Sequence, residues 1–242
     1  MFAHREIRDG VGAAVTDRHG GTSTPPYDGF NLADHVGDDP AAVAANRRLL
    51  AVALDARPLP VVTMQQVHGA DVDVVDRVPA TPPVADALVT RHRGLALAVL
   101  VADCTPVLLW DRNAGVVAAV HAGRKGLAAG VLPAAVAAMT DLGARPERID
   151  ALLGPGICAA HYEVPAQMRD EVETAAPGSA ATTPGGRSAL DIRAGLAGQL
   201  AQCGLRAWAV SPACTAESPR LYSHRRDGPR TGRFAGVVWL QP

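Results

Sequence analysis

Apolar residues in this chain gather into short unbroken runs rather than long helical stripes. The longest are Leu95–Ala102 and Val116–Val120, and runs of this length suit strands buried on both faces of a sheet. Val107–Trp110 predicts a strand joined to Val116–Val120 through the turn Asp111–Gly115. Val61–Gln66 and Val72–Val75 predict two more, flanking the turn His68-Gly69-Ala70-Asp71. Ala151–Leu153, Arg206–Val210 and Ala235–Leu240 complete the predicted strands. Helices are predicted over Ala41–Leu54, Gly126–Leu142, Pro165–Thr174 and Leu190–Cys203. Asp39-Pro40 supplies the first of these with an N-cap and a proline at its opening position. Gly130 and Pro133 weaken the second in its first half. Asp17–Asp28 is turn-rich, and Ala175–Arg187 reads as a surface loop of Ala, Pro, Gly, Ser and Thr. Hairpins mixed with helices predict an α/β (α+β) fold, a layered mixed β-sheet core flanked by helices, as one unit over residues 1–242.

Composition narrows the partners. The net charge of −1 gives no general electrostatic reason to expect nucleic acid or a membrane surface, although a local pocket can still take a small anion. No apolar run approaches the roughly 20 residues of a membrane span, and the opening residues Met1–Glu6 are not of signal-peptide type. The expected location is therefore the cytoplasm. There Cys104, Cys158, Cys203 and Cys214, which form no CxxC pair, are expected as thiols or ligands rather than disulfides.

Three predicted strands end on a metal-capable side chain. They are Gln66-Val67-His68-Gly69, Ala102-Asp103-Cys104-Thr105-Pro106 and Val120-His121-Ala122-Gly123. A thiolate and two imidazoles suit zinc at roughly 2.0–2.3 Å, and three protein ligands leave a fourth position open for chemistry. The same residue types also permit a Cys104–His121 thiolate–imidazolium nucleophile, or an ordinary buried thiol and satisfied histidines. Other polar islands are Asn31–Asp39, with Asn31 and His35, and Ser223–Gly228, with Arg225 and Arg226, leading into Thr231-Gly232-Arg233. Arginine forks suit phosphate or carboxylate, although paired arginines are more often a solvated turn.

Taken in order, seven motifs resemble the YfiH-like laccase-domain family, also called polyphenol oxidase, peptidoglycan editing factor and purine nucleoside phosphorylase. They are Asn31-Leu32…His35-Val-Gly-Asp-Asp-Pro, Asn46-Arg47, Gln66-Val67-His68-Gly69, Ala102-Asp103-Cys104-Thr-Pro, Val120-His121-Ala-Gly, Gly154-Pro155-Gly156-Ile157…Tyr162-Glu163-Val164, and Ser223…Arg225-Arg226-Asp227-Gly228…Thr231-Gly232-Arg233. The resemblance runs from about residue 20 to the C-terminus. It implies a fold shared with putative cysteine hydrolases and metal ligands at His68, Cys104 and His121. It implies phosphorolysis of adenosine, inosine, guanosine and methylthioadenosine, together with deamination of adenosine. Zinc is the implied cofactor and phosphate the co-substrate; copper can take the zinc position in vitro, because Cu²⁺ binds N/S sites more tightly. Arg47 is implied in the substrate pocket. By position, Ser23, Asn31, His35, Lys125, Arg225 and Arg226 are further substrate-binding candidates, and Asp103 joins the ligands as a catalytic candidate that orients a ligand or moves a proton. The oligomeric state stays open between a monomer and a small homo-oligomer.

The chain departs from the family at His121-Ala122-Gly123-Arg124-Lys125-Gly126, where a Trp-Arg pair is usual. Arg124 removes an aromatic surface, and Lys125, the chain's only lysine, keeps a charge without its fork. In the cysteine-rich segment after the Gly-Pro turn only Cys158 remains, and His161 stands before Tyr162. Two rival functions share the same residues: an amidase editing a peptidoglycan precursor, and a non-catalytic metal or ligand binder. Copper laccase chemistry is not expected, because eight histidines without an HxH pair cannot furnish a multi-copper cluster.

Overall fold

The computed structural model describes all residues, Met1–Pro242. Its strands are β1 (Phe2–Arg8), β2 (Val11–Thr16), β3 (Val61–Val62), β4 (Val72–Val74), β5 (Ala87–Thr90), β6 (Ala96–Val101), β7 (Thr105–Asp111), β8 (Val116–Ala122), β9 (Asp150–Leu153), β10 (Ala180–Thr182), β11 (Ser188–Leu190), β12 (Ala207–Val210) and β13 (Phe234–Leu240). The helices are α1 (Pro40–Leu54), α2 (Arg124–Ala129), α3 (Val131–Asp141), α4 (Ala166–Ala175), α5 (Ile192–Gln202) and the single turn α6 (His224–Asp227).

Two mixed sheets carry the fold. One runs β1-β2-β13-β6-β3 and the other β12-β9-β7-β8-β5-β4. Strand alternation divides their side chains between layers. Leu97, Val99 and Val101 of β6, Phe234 and Val238 of β13, Leu108 of β7, and Val117 and Ala119 of β8 meet in a core between the sheets. Ala96, Ala98, Leu100 and Trp239 face the opposite way, toward Leu50 and Leu54 of α1. Val116, Ala118 and Val120 pack under Leu132, Val136 and Met139 of α3 and Leu196 of α5. The order of layers is helix, sheet, sheet, helices, which is the mixed α/β arrangement that the apolar runs predict.

Several boundaries differ from the sequence reading, each for a local reason. The expected helix Gly126–Leu142 is two helices, because Gly130 takes a left-handed conformation (φ 80°) that closes α2 and opens α3. The expected strand Val61–Gln66 stops at Val62, and the Gln66 amide replaces strand pairing, donating to Leu100 O and accepting from Leu100 N at 2.8 Å each. The expected loop Ala175–Arg187 contains β10, paired antiparallel with β11. Strands β1, β2 and β5 were not expected. Asp39 does cap α1, its side chain accepting from Ala41 N.

The strands deliver the site to one end of the intersheet core. Beyond β6 the chain crosses from the first sheet to the second through Ala102-Asp103-Cys104, directly before β7. Pro106 of β7 pairs with His121 of β8, and His121 shares the face of Val117 and Ala119. The loop between β3 and β4 brings His68.

Candidate metal centre and cavity

His68, Cys104 and His121 present ligand atoms that all lie within 4.8 Å of one another. Cys104 Sγ is 3.8 Å from His68 Nε2. The two imidazoles stand edge to face with centroids 4.7 Å apart. Ligands about 2.0–2.3 Å from a tetrahedral ion sit roughly 3.3–3.8 Å apart, so these donors fit zinc with little adjustment.

Asp86, just before β5, holds this arrangement and has no counterpart in the sequence reading. Its buried carboxylate accepts from Val67 N, His68 N and Gly69 N at 3.2, 2.9 and 2.6 Å. It also faces His121 Nδ1 at 2.7 Å, which leaves Nε2 for the ligand cluster. His68 sits at φ 62°, a conformation unusual for a side-chain-bearing residue, and the three amides bound by Asp86 fix it there. Burial pushes the Asp86 carboxyl up, but the His121 contact and the Gly69 amide outweigh it and the group lies below the ordinary carboxylate range. Burial likewise opposes charge on Cys104, yet the His121 charge and the bonds from His121 and His68 bring the thiol down to about 6. The thiolate and Asp86 raise His121 to about 9 against its burial.

Gly123 completes the cradle. A Cβ there would stand 2.8 Å from Cys104 Sγ and 3.0 Å from His68 Cδ2. Its backbone (φ −89°) accepts alanine, so Gly123→Ala is expected to fold normally while pushing the ligands apart. Isothermal titration with zinc is expected to show affinity reduced by about tenfold or more, from a clash worth about 1–3 kcal/mol. Unchanged affinity would mean that the ligands do not close around an ion here.

The centre forms part of the wall of a cavity of about 920 Å³. Of the substrate-binding candidates, Arg47, His35 and Arg225 line it. Arg47 is tied to Leu32 O and Asp34, and Arg225 lies over the Tyr162 ring and donates to His161 O and Glu163 O. Ser23, Asn31, Lys125 and Arg226 are placed outside the lining. Ser23 is buried and accepts from Asn46. Asn31 is buried, donates to Ala33 O and Asp38, and accepts from Arg233 N. Lys125 is exposed on α2. Arg226 is consumed by Asp227 and by the carbonyls of Thr215, Ser218 and Leu221. Asp103 (φ 93°) borders the cavity, but its carboxylate accepts from Thr215 Oγ1, Ser223 Oγ and Arg225 N at 2.6–2.7 Å, a clamp between the β6–β7 crossing and the α6 segment.

Two cavity arginines stand apart from the sequence candidates. Arg233 donates only to Thr231 O and Gly232 O and pairs with no carboxylate. Burial pulls it below the usual arginine range, with the Cys104 and Asp103 charges opposing. Arg124, in the place of the family's usual tryptophan, also lines the cavity without a carboxylate partner.

Comparison with known proteins decides the relationship. Residues 12–241 match the family described as multi-copper polyphenol oxidoreductase laccase. The chain belongs to this laccase-like YfiH family. A purine nucleoside phosphorylase of Streptomyces coelicolor is 54% identical over 242 residues, covering 99% of this chain and 100% of that one. A protein of the same name from Mycobacterium tuberculosis H37Rv is 54% identical over 94% of this chain and 91% of its own length. A Neisseria meningitidis crystal structure superposes with a TM-score of 0.90 at 35% identity, covering 100% of this chain and 99% of that one. YlmD of Geobacillus stearothermophilus superposes with a TM-score of 0.88 at 33% identity, over 96% and 93%. No helix in this laccase-like chain is long and apolar enough to cross a membrane.

Proposed function

We propose that the protein is a zinc-dependent purine nucleoside phosphorylase that also deaminates adenosine. The observation that carries this reading is a three-donor centre beside a cavity that also receives guanidinium groups without carboxylate partners. The activity for which relatives 54% identical are named supports it. His68, Cys104 and His121 would hold the metal. When bound, zinc supplies Lewis acidity next to the substrate.

In phosphorolysis a phosphate oxygen forms the bond to C1′ while the glycosidic C–N bond breaks, and the purine departs with the electron pair and takes a proton. Arg233 and Arg225 hold the phosphate through charge-assisted hydrogen bonds. Their carbonyl-bound frames keep the forks pointed, so little order is lost when phosphate arrives. Arg47, fixed by Leu32 O and Asp34, positions the nucleoside. Tyr162 supplies an aromatic wall. Asp103 acts as a positioning residue, through the Arg225 backbone. Deamination of adenosine places water at C6 in the same cavity and releases ammonia.

Phosphate-dependent release of base from adenosine and inosine, with ammonia release from adenosine, tests the reading. Zinc-loaded protein that releases neither sinks it in favour of an amidase or a ligand binder. Arg233→Gln is expected to raise KM for phosphate about 10- to 100-fold, the worth of one charge-assisted interaction. KM for the nucleoside should move little, and an unchanged phosphate KM would remove Arg233 from the anion site. A multi-copper oxidase is not supported by the donors. The structure gathers only two groups of metal-capable side chains, and His68, His121 and His161 are the only histidines in them.

A further inference from the structure

Apart from the centre beside the cavity, Cys158, His161, Cys214 and Glu217 also converge, with ligand atoms all within 4.8 Å of one another. His161 Nδ1 lies 3.2 Å from Cys158 Sγ, 3.8 Å from Cys214 Sγ and 3.3 Å from Glu217 Oε1. Cys158 Sγ is 3.9 Å from Glu217 Oε1. A tetrahedral zinc with bonds of about 2.0–2.3 Å spaces its ligands roughly 3.3–3.8 Å apart, and these four separations lie within or close to that range.

The backbone is arranged for the same purpose. Cys158 and His161 stand three apart on one turn, where His161 N and Tyr162 N both donate to Cys158 O at 3.0 Å. Cys214 and Glu217 stand three apart on another, closed by Ser218 N donating to Cys214 O at 2.9 Å. Two chelating pairs, each with two intervening residues, are the spacing of closed zinc sites. The turns are joined by a bridge between Gly156 and Cys214. In addition, Cys158 N donates to the Cys214 sulfur at 3.3 Å, the amide-to-sulfur bond that stabilises a ligating thiolate.

We propose that Cys158, His161, Cys214 and Glu217 form a second metal site, which binds zinc with two sulfurs, one nitrogen and one oxygen. Four protein ligands leave no position for substrate, so the site is structural. It staples the turn after the Gly154-Pro155-Gly156 segment to the loop that ends in α6. Those two segments carry Tyr162 and Arg225 of the cavity wall, and Thr215 anchors Asp103 from the second. The proposal does not depend on the reaction assigned to the cavity.

Zinc content of the purified, gel-filtered holoprotein tests it. About two zinc ions per chain are expected in the wild type and about one in Cys104→Ala, which empties only the cavity centre. His161→Asn, at an exposed side chain, and Cys214→Ser are each expected to retain about one. The double variant Cys104→Ala/His161→Asn is expected to hold none. In the Cys104→Ala background a strong chelator is expected to lower the melting temperature by several degrees, and in the double variant to leave it unchanged. Because His161 is exposed, its variant keeps the test valid where Cys214→Ser does not fold. The idea is overturned if Cys104→Ala alone removes all zinc, or if His161→Asn keeps the wild-type content. A Cys158–Cys214 disulfide found by thiol titration of freshly purified protein would also overturn it. Base release from nucleosides is measured separately, so failure of either proposal is distinguishable from failure of the other.

Discussion

Alanine at His68, Cys104 or His121 is expected to remove zinc from the cavity centre and to lower kcat/KM for phosphorolysis by about a thousandfold or more, the scale on which a Lewis acid at a reacting site acts. The three variants are expected to differ in stability. Cys104 is a partly buried thiol at a strand crossing, and its loss leaves the Asp86–His121 pair intact. Cys104→Ala should therefore fold and melt close to the zinc-free wild type. His121 is buried, so His121→Ala leaves one oxygen of a buried carboxylate short of a partner, at a cost of about 1–3 kcal/mol. His68→Ala keeps its amide bonded to Asp86 and should fall between the two. Elemental analysis, calorimetric melting and base release on the same preparations check all three statements. The Cys104 variant also separates the metal centre from a thiolate nucleophile. If Cys104→Ala keeps its full zinc content but loses turnover, Cys104 attacks substrate and does not hold the metal.

The two halves of this site were unequally legible in the sequence. Cys104 and His121 follow the apolar runs Leu95–Ala102 and Val116–Val120, so donor chemistry and pattern pointed the same way there, whereas His68 sits in the loop between β3 and β4 and was legible only through its Gln-Val-His-Gly motif. Asp86 was hidden because its partners lie 18 and 35 residues away, and because β5 is four residues long and directly follows a proline-rich stretch. The edge strand β1 was hidden by His4, Arg5 and Glu6, which solvate an edge and erase alternation. The second cluster joins two donor pairs about fifty residues apart, and pairs a cysteine with a histidine in one turn and with a glutamate in the other. No CxxC spacing announces it. The arginines show the reverse error. Arg226 had the residue type for phosphate, but its fork is filled by Asp227 and three carbonyls, whereas Arg233, seven residues on, is half-buried beside the cavity without a carboxylate. Availability of a cation is a property of packing, and residue type alone does not carry it.

Asp86→Asn is expected to be the most informative single change outside the ligands. Oδ1 accepts from His68 N and faces His121 Nδ1, while Oδ2 accepts from Val67 N and Gly69 N. An asparagine keeps the volume but can accept on only one side. Whichever way it turns, an NH₂ group faces N–H donors, and a buried donor pair is left unpaired at a cost of about 2–4 kcal/mol. Turned one way, His121 loses the partner that holds its proton on Nδ1; turned the other, Val67 N and Gly69 N lose their acceptor; either way the His68 loop loses part of the clamp that keeps it at positive φ. Zinc affinity is expected to fall about 10- to 100-fold, as for other partners that orient a ligating histidine. Excess zinc is expected to restore most of kcat, since Asp86 touches no substrate, while the lowered melting temperature should recover only in part. Asp86→Ala, with all its donors abandoned, should lose more stability than Asp86→Asn without losing more affinity per degree of melting. A variant that melts early but binds zinc as the wild type does would make Asp86 a packing residue only, and the orientation of His121 would then come from the β7–β8 register alone.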